Sequence, residues 1–140
     1  MLLGDLGTIH QYSLPIKLFV FNNRALGMVK LEMEVQGIPD NETDMKYVNF
    51  AGVAEAIGFR GFTVHEPDLL EEVIAEALEH DGPVLVDILT NPYSLALPPK
   101  LEWEQMKGYM LSMTKMMLGG HMDEVLEMVR SNYRHLNEVI

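Results

Sequence analysis

Residues 62–89 read FTVHEPDLLEEVIAEALEHDGPVLVDIL, a short apolar run, an amphipathic run and a second apolar run. Phe62 to His65 has the composition of a short strand. Pro67 suits a first helical turn, Asp68, Glu71 and Glu72 sit where a helix dipole is positive, and Leu70, Val73, Ile74 and Ala77 recur on one face. Gly82-Pro83 stops that helix, and Val84 to Leu89, interrupted only by Asp87, reads as a strand buried on both faces. A crossover of this length returns the chain to the same end of a sheet, which predicts parallel strands with helices on both faces.

Working upstream, Asn49 can cap a helix with Phe50, Val53, Ala54 and Ile57 on its inner face and Gly58 at its end. Arg24 to Lys46, punctuated by Gly27, Gly37 and Pro39, reads as mostly irregular. Before it, Ile16 to Phe21 is apolar apart from Lys17, as a buried strand would be, and Leu2, Leu6 and Ile9 fall at helical spacing. The expectation for residues 1–90 is a three-layer α/β/α domain with a mostly parallel sheet, whose ligand lies at the C-terminal ends of the strands.

Downstream, Asn91-Pro92 and Pro98-Pro99 mark an extended connector, followed by helices over roughly Glu102 to Leu118 and Met122 to Leu136, parted by Gly119-Gly120. Residues 91–140 thus form a connector and a C-terminal helical tail that packs on the domain or on a partner subunit. Met106, Met110, Met113 and Met117, with Tyr109, make a stripe expected to be core. Met122, Val125, Leu126, Val129, Tyr133 and Leu136 make a second on the last helix.

Twenty-one acidic against ten basic side chains give a formal charge of -11 over 140 residues, which repels nucleic acid and anionic lipid. There is no cysteine, so disulfides, thiolate nucleophiles and thiolate metal sites are excluded, and a reducing, cytoplasmic setting is expected. Met1 to Gly7 lacks the basic start and long apolar core of a signal peptide, and no apolar run is long enough to span a bilayer. The five histidines, His10, His65, His80, His121 and His135, show no HExxH spacing, and the chain has no Walker loop, nucleophile elbow or GxGxxG.

Asn22-Asn23 stands where the first strand ends, followed by Arg24-Ala25-Leu26-Gly27-Met28-Val29-Lys30. An Asn pair serves in most proteins as a turn. Here it is accompanied by Leu14-Pro15-Ile16-Lys17, Asn49-Phe50-Ala51 and Asp81-Gly82-Pro83-Val84-Leu85-Val86-Asp87. Together they resemble the C-terminal domain of thiamine-diphosphate enzymes, whose motif is a Gly-Asp-Gly followed one helix and one strand later by Asn-Asn. Leu95-Ala96-Leu97-Pro98-Pro99, Glu104-Gln105 and Lys107-Gly108-Tyr109 further resemble the tail of pyruvate oxidases and quinone-dependent pyruvate dehydrogenases. Acetolactate synthases, which share the earlier segment, are the competing family.

The resemblance implies thiamine diphosphate and magnesium, held by the side-chain oxygen of Asn23 and the backbone carbonyl of Ala25. Asn22 would shape the turn, Leu26, Gly27 and Met28 would line the cofactor, and Glu32, in the loop after the ligands, would lie with Met28 on the substrate side. Oxidative decarboxylation of pyruvate, with FAD bound in a separate domain, is the implied activity of a full-length parent. The alternatives are acetolactate synthesis and a non-catalytic oligomerisation module.

The chain has no Gly-Asp-Gly. Gly4-Asp5 is followed by Leu6, and only sixteen residues separate Asp5 from Asn22. The expectation is a fragment that begins just after the motif, truncates the sheet at its N-terminus and is inactive alone. It would self-associate through the exposed sheet edge. Some members of the resembled group reach the membrane through their C-terminus, but the last helix lacks a basic face, so membrane contact is the lesser expectation.

Overall fold

The structure is a computed structural model and describes residues 3–94 and 102–139, with side chains through Tyr133. Met1, Leu2, Leu136 as a side chain and the Leu95-Pro99 motif lie outside the described residues. The chain forms two compact units, one of Met1–Asn22 with Tyr47–Thr90 and one of Asn23–Lys46 with Asn91–Ile140.

In the first unit, α1 (Leu3–Gln11) leads into β1 (Lys17–Asn22), α3 (Phe50–Ile57), β2 (Arg60–Val64), α4 (Leu70–Glu79) and β3 (Val84–Leu89). A 3-10 turn, Pro67–Leu69, opens α4 where Pro67 was expected to begin a helix. The strands make a parallel sheet in the order β1-β3-β2, with Lys17 opposite Val84 on one side of β3 and Arg60 opposite Val84 on the other. The α/β class and the parallel sheet are as expected.

Alternation along β3 separates two cores. Val84, Val86 and Ile88 pack with Val64 and with Ala77 of α4. Leu85, on the opposite face, joins Leu6 of α1, Ala54 of α3 and Phe59, with Leu18 and Val20 of β1 against them. Both clusters bury aliphatic groups at about 25 cal/mol per Å², the main source of this unit's stability.

Local chemistry fixes the connections. Asn49 Oδ1 accepts the Gly52 N–H at 2.8 Å, capping α3, and Gly58 ends the helix at φ 104°. A Cβ at Gly58 would also strike the His10 ring at 2.5 Å. Asp87, fully buried, turns a carboxylate oxygen to the Phe50 N–H at the start of α3, 3.4 Å away. Lys17, the one charge in β1, donates its ammonium to the carbonyls of His80 and Gly82, in the turn between α4 and β3.

β1 is not the wholly buried strand expected: Phe19 is 37% and Phe21 72% exposed. It stands at the end of the strand order, and α4 packs against β2 and β3, leaving the Phe19 and Phe21 face of β1 uncovered.

In the second unit, α2 (Gly27–Val35) packs on α5 (Trp103–Leu118), and α5 on α6 (Met122–Val139). A helix at α2 corrects the irregular reading of Arg24 to Lys46. Its buried face carries Lys30, Leu31 and Glu34, so two charged residues occupy positions where the apolar half of the period is normally read. Gly108 allows the helices to meet: a Cβ there would lie 1.8 Å from the Val35 carbonyl oxygen.

The core between α5 and α6 is Met113, Met116, Val125 and Met128, with Tyr93 and Tyr109 against it. This corrects the methionine stripe, because Met106, Met110 and Met117 are exposed while Met116 takes the inner position. On α6 the stripe likewise divides, Val125 facing inward and Met122, Leu126, Val129 and Tyr133 outward. Among the described residues, no helix is long and apolar enough to cross a membrane.

Candidate functional site

The loop that enters α2 is shaped by a left-handed residue and a short bridge. Arg24 sits at φ 53°, a conformation that costs a non-glycine residue about 1 kcal/mol. Ala25 then pairs antiparallel with Asp44. The bonds of that bridge run through its neighbours, Leu26 N–H to Thr43 O and Met45 N–H to Arg24 O, both 2.8 Å. Ala25 keeps its own polar groups out of those two bonds. Its N–H turns instead to Asn23 Oδ1, 3.1 Å away.

Asn23 in turn depends on Gly27. A Cβ at position 27 would stand 2.8 Å from Asn23 Nδ2, so glycine leaves the space in which the amide lies. From Gly27 the chain turns directly into α2. The N-cap, Leu26, gives no side-chain cap, and the first turn holds no acid. The leading N–H groups of a helix with those properties are donors for an anion.

The other expected site residues divide between two places. Asn22 belongs to the sheet unit, where it is buried at the end of β1. Its side-chain Nδ2 donates to Val48 O at 3.3 Å, and its carbonyl accepts the Thr90 N–H. Met28 is 66% exposed, and Glu32, one helical turn on, is exposed beside it. Glu32 is therefore a helix residue and not a loop acid, and its spacing sets it on the same face as Met28. Leu26 is partly exposed at the helix start.

The donor set suits the implied groups. A hard divalent cation takes amide and carbonyl oxygens, which Asn23 and Ala25 present, and a diphosphate takes the N–H donors at the start of α2. Among the described residues no cluster of three or more His, Cys, Asp or Glu side chains could hold a metal.

The opposite face of α2 carries a polar group that the sequence reading missed. Lys30 Nζ lies 3.0 Å from Asp40 Oδ2, with Lys30 only 3% exposed, and stands 5.5 Å from the centre of the Tyr93 ring. Burial pulls the lysine pKa down, but the hydrogen bond and charge of Asp40, with the charges of Glu34 and Asp44, outweigh it and hold the pKa above the ordinary value. Glu34 is fully buried, and among the described residues neither carboxylate oxygen has a hydrogen-bond partner. Burial pushes its pKa up to about 7 against the pull of Lys30. Burial, then the charge of Glu34, pushes Tyr109 up to about 12. The four-residue spacing of Lys30 and Glu34 was the available signal.

A groove of about 480 Å³ lies in this unit, lined by Asp40, Thr43, Asp44, Lys115, His121 and Glu124 among others. It includes none of Asn23, Ala25 and Gly27, and the chemistry of the loop outweighs its size as a guide to function.

Residues 1–88 match the family described as thiamine pyrophosphate enzyme, C-terminal TPP binding domain. The chain belongs to that family. It is 36% identical over 115 residues to YdaP of Bacillus subtilis (strain 168), named as a thiamine pyrophosphate-containing protein, covering 82% of this chain and 20% of the relative. It is 35% identical over 107 residues to the acetolactate synthase large subunit of Porphyra purpurea, covering 71% of this chain and 18% of the relative. The probable acetolactate synthase large subunit of Methanococcus aeolicus is 30% identical over 101 residues, 64% of this chain and 15% of the relative. The thiamine-diphosphate domain spans about a fifth of the length of the first of these and less of the others.

Proposed function

We propose that this thiamine-diphosphate domain holds the diphosphate end of the cofactor through the loop Asn23 to Met28, in an enzyme that decarboxylates a 2-keto acid. The observation that supports this reading is the loop itself, in which Asn23 Oδ1 accepts the Ala25 N–H, Gly27 leaves room for the Asn23 amide, and α2 starts without a side-chain cap. Asn23 Oδ1 and the Ala25 carbonyl would hold magnesium, and the first N–H groups of α2 would donate to the diphosphate oxygens. Bound thiamine diphosphate supplies the electron sink for decarboxylation, and the chain's part is to place it. Exposed Met28 and Glu32 face the substrate side.

For the complete reaction, the relatives favour acetolactate synthesis, the joining of two keto-acid units. The second reading is flavin-linked oxidation of pyruvate. It is favoured by the Glu104-Gln105 and Lys107-Gly108-Tyr109 pattern, which falls in α5 beyond the matched residues 1–88. A homo-oligomer is part of both readings.

Titration calorimetry of thiamine diphosphate with magnesium into this chain tests the site. Binding that Asn23→Ala weakens at least tenfold supports the assignment, whereas binding unchanged in Asn23→Ala overturns it. Pyruvate given to the native polypeptide that carries this domain separates the reactions: acetolactate supports the first, acetate with flavin reduction the second.

A further inference from the structure

α6 holds two apolar stripes. The inner one, Val125 and Met128 with Asn132, is all but fully buried against the rest of its unit. The outer one is exposed: Met122 by 47%, Leu126 by 48%, Val129 by 54% and Tyr133 by 62%. These four fall at intervals of four, three and four residues, the spacing of a coiled-coil seam. In the sequence, Leu136 and Ile140 continue the same spacing.

We infer that this outer face is a contact between two copies of the chain, packed with their α6 helices antiparallel. The order of the residues permits this orientation. Reversing the helix exchanges Met122 with Tyr133 and Leu126 with Val129, so four apolar layers form at once. That exchange is self-complementary, as a two-fold contact must be; a parallel two-fold pair would stack the same four residues on themselves, so the flanking charges decide between the two orientations.

The charges beside the seam agree. Asp123 and Arg130 flank it on the side away from the buried stripe, and an antiparallel mate places Asp123 of each copy near Arg130 of the other. Arg130 is already 3.3 Å from Glu127 of its own helix at an exposed site, so it can bridge both carboxylates. A parallel mate would set Asp123 against the Val125 and Asn132 side, on which α6 carries no cation among the described residues.

A lipid surface fits the face less well. Asp123, Glu124 and Glu127 outnumber Arg130 along the described part of the helix, whereas interfacial helices carry a basic face. Four side chains per copy make a small contact, so the association is weak and is sought at roughly 10 µM to 1 mM protein.

The inference does not depend on the cofactor reading, and the experiment uses the whole chain. Sedimentation equilibrium is run on the unaltered protein and on Leu126→Glu, Asp123→Arg, Arg130→Asp and the double variant Asp123→Arg with Arg130→Asp. Circular dichroism checks that each is helical. A dimer is expected, weakened at least tenfold by Leu126→Glu and about threefold to tenfold by either single charge reversal, and restored by the double reversal. Restoration separates this face from association through β1, which the charge reversals do not touch. They also keep the test decisive should Leu126→Glu unfold. A monomer at ~1 mM, or single and double reversals that behave alike, overturns the proposal. So does co-sedimentation with vesicles of phosphatidylcholine and phosphatidylglycerol that Leu126→Glu abolishes without changing the protein's own mass.

Discussion

The ammonium of Lys30 and a carboxylate oxygen of Asp40 are 3.0 Å apart, with the lysine 3% and the aspartate 13% exposed. Each charge is tolerated because the other is present. Removing one partner leaves the other's desolvation uncompensated, which in buried pairs costs several times what an exposed pair contributes. Asp40→Ala is therefore expected to lower stability by about 2–4 kcal/mol. Urea unfolding monitored by circular dichroism checks this, with the exposed Arg60 and Glu76 pair as the contrast. Glu76→Ala should change stability by less than about 1 kcal/mol.

Glu34 gives a pH dependence of known sign. Its carboxyl, about 7 in the folded chain against an ordinary 4.5, binds its proton more tightly when folded. The stability so gained is complete below about pH 4.5 and is lost as the pH rises through about 7. The loss is on the order of 3 kcal/mol. Unfolding curves between pH 4.5 and 8 should show that fall in the unaltered protein and a flatter profile in Glu34→Gln.

Gly27→Ala separates binding from folding. Alanine favours a helix over glycine by about 0.8–1 kcal/mol, so thermal stability should hold or rise slightly. The new Cβ would meet Asn23 Nδ2 at 2.8 Å and turn the amide away from its place. Titration of thiamine diphosphate with magnesium should then show weaker binding by tenfold or more, in a protein at least as stable.

Gly108→Ala has the opposite character. The added carbon would stand 1.8 Å from the backbone oxygen of Val35, so α2 and α5 must move apart. A loss of about 2–3 kcal/mol is expected from such overpacking, measured as a lower urea midpoint.

The sheet was legible because its signals are local. Val84 to Leu89 is apolar on both faces, Asn49 and Gly58 bracket α3, and Pro67 and Gly82-Pro83 bracket α4. α2 was hidden because the residues it buries, Lys30 and Glu34, find their surroundings in Asp40, Tyr93 and Tyr109, which periodicity cannot foresee. The same limit placed Glu32 in a loop. The exposure of Phe19 and Phe21 was equally out of reach, since apolar composition does not tell an edge strand from a central one. The Asn23 loop was legible as a motif. The dependence of Asn23 on Gly27 is a matter of distance, and only the structure supplies it.

The strand order carries one more consequence, for the time course of folding. β1 and β2 both pair with β3 and not with each other, and β3 is the last of the three in the chain. During synthesis, Lys17 to Asn22 therefore cannot form its ladder with β3 until Val84 to Leu89 has left the ribosome. Closing that long loop costs chain entropy before the contacts reward it, which slows folding. Until then Leu18 and Val20, which pack beside Leu85 of β3 in the fold, are at risk of wrong partners.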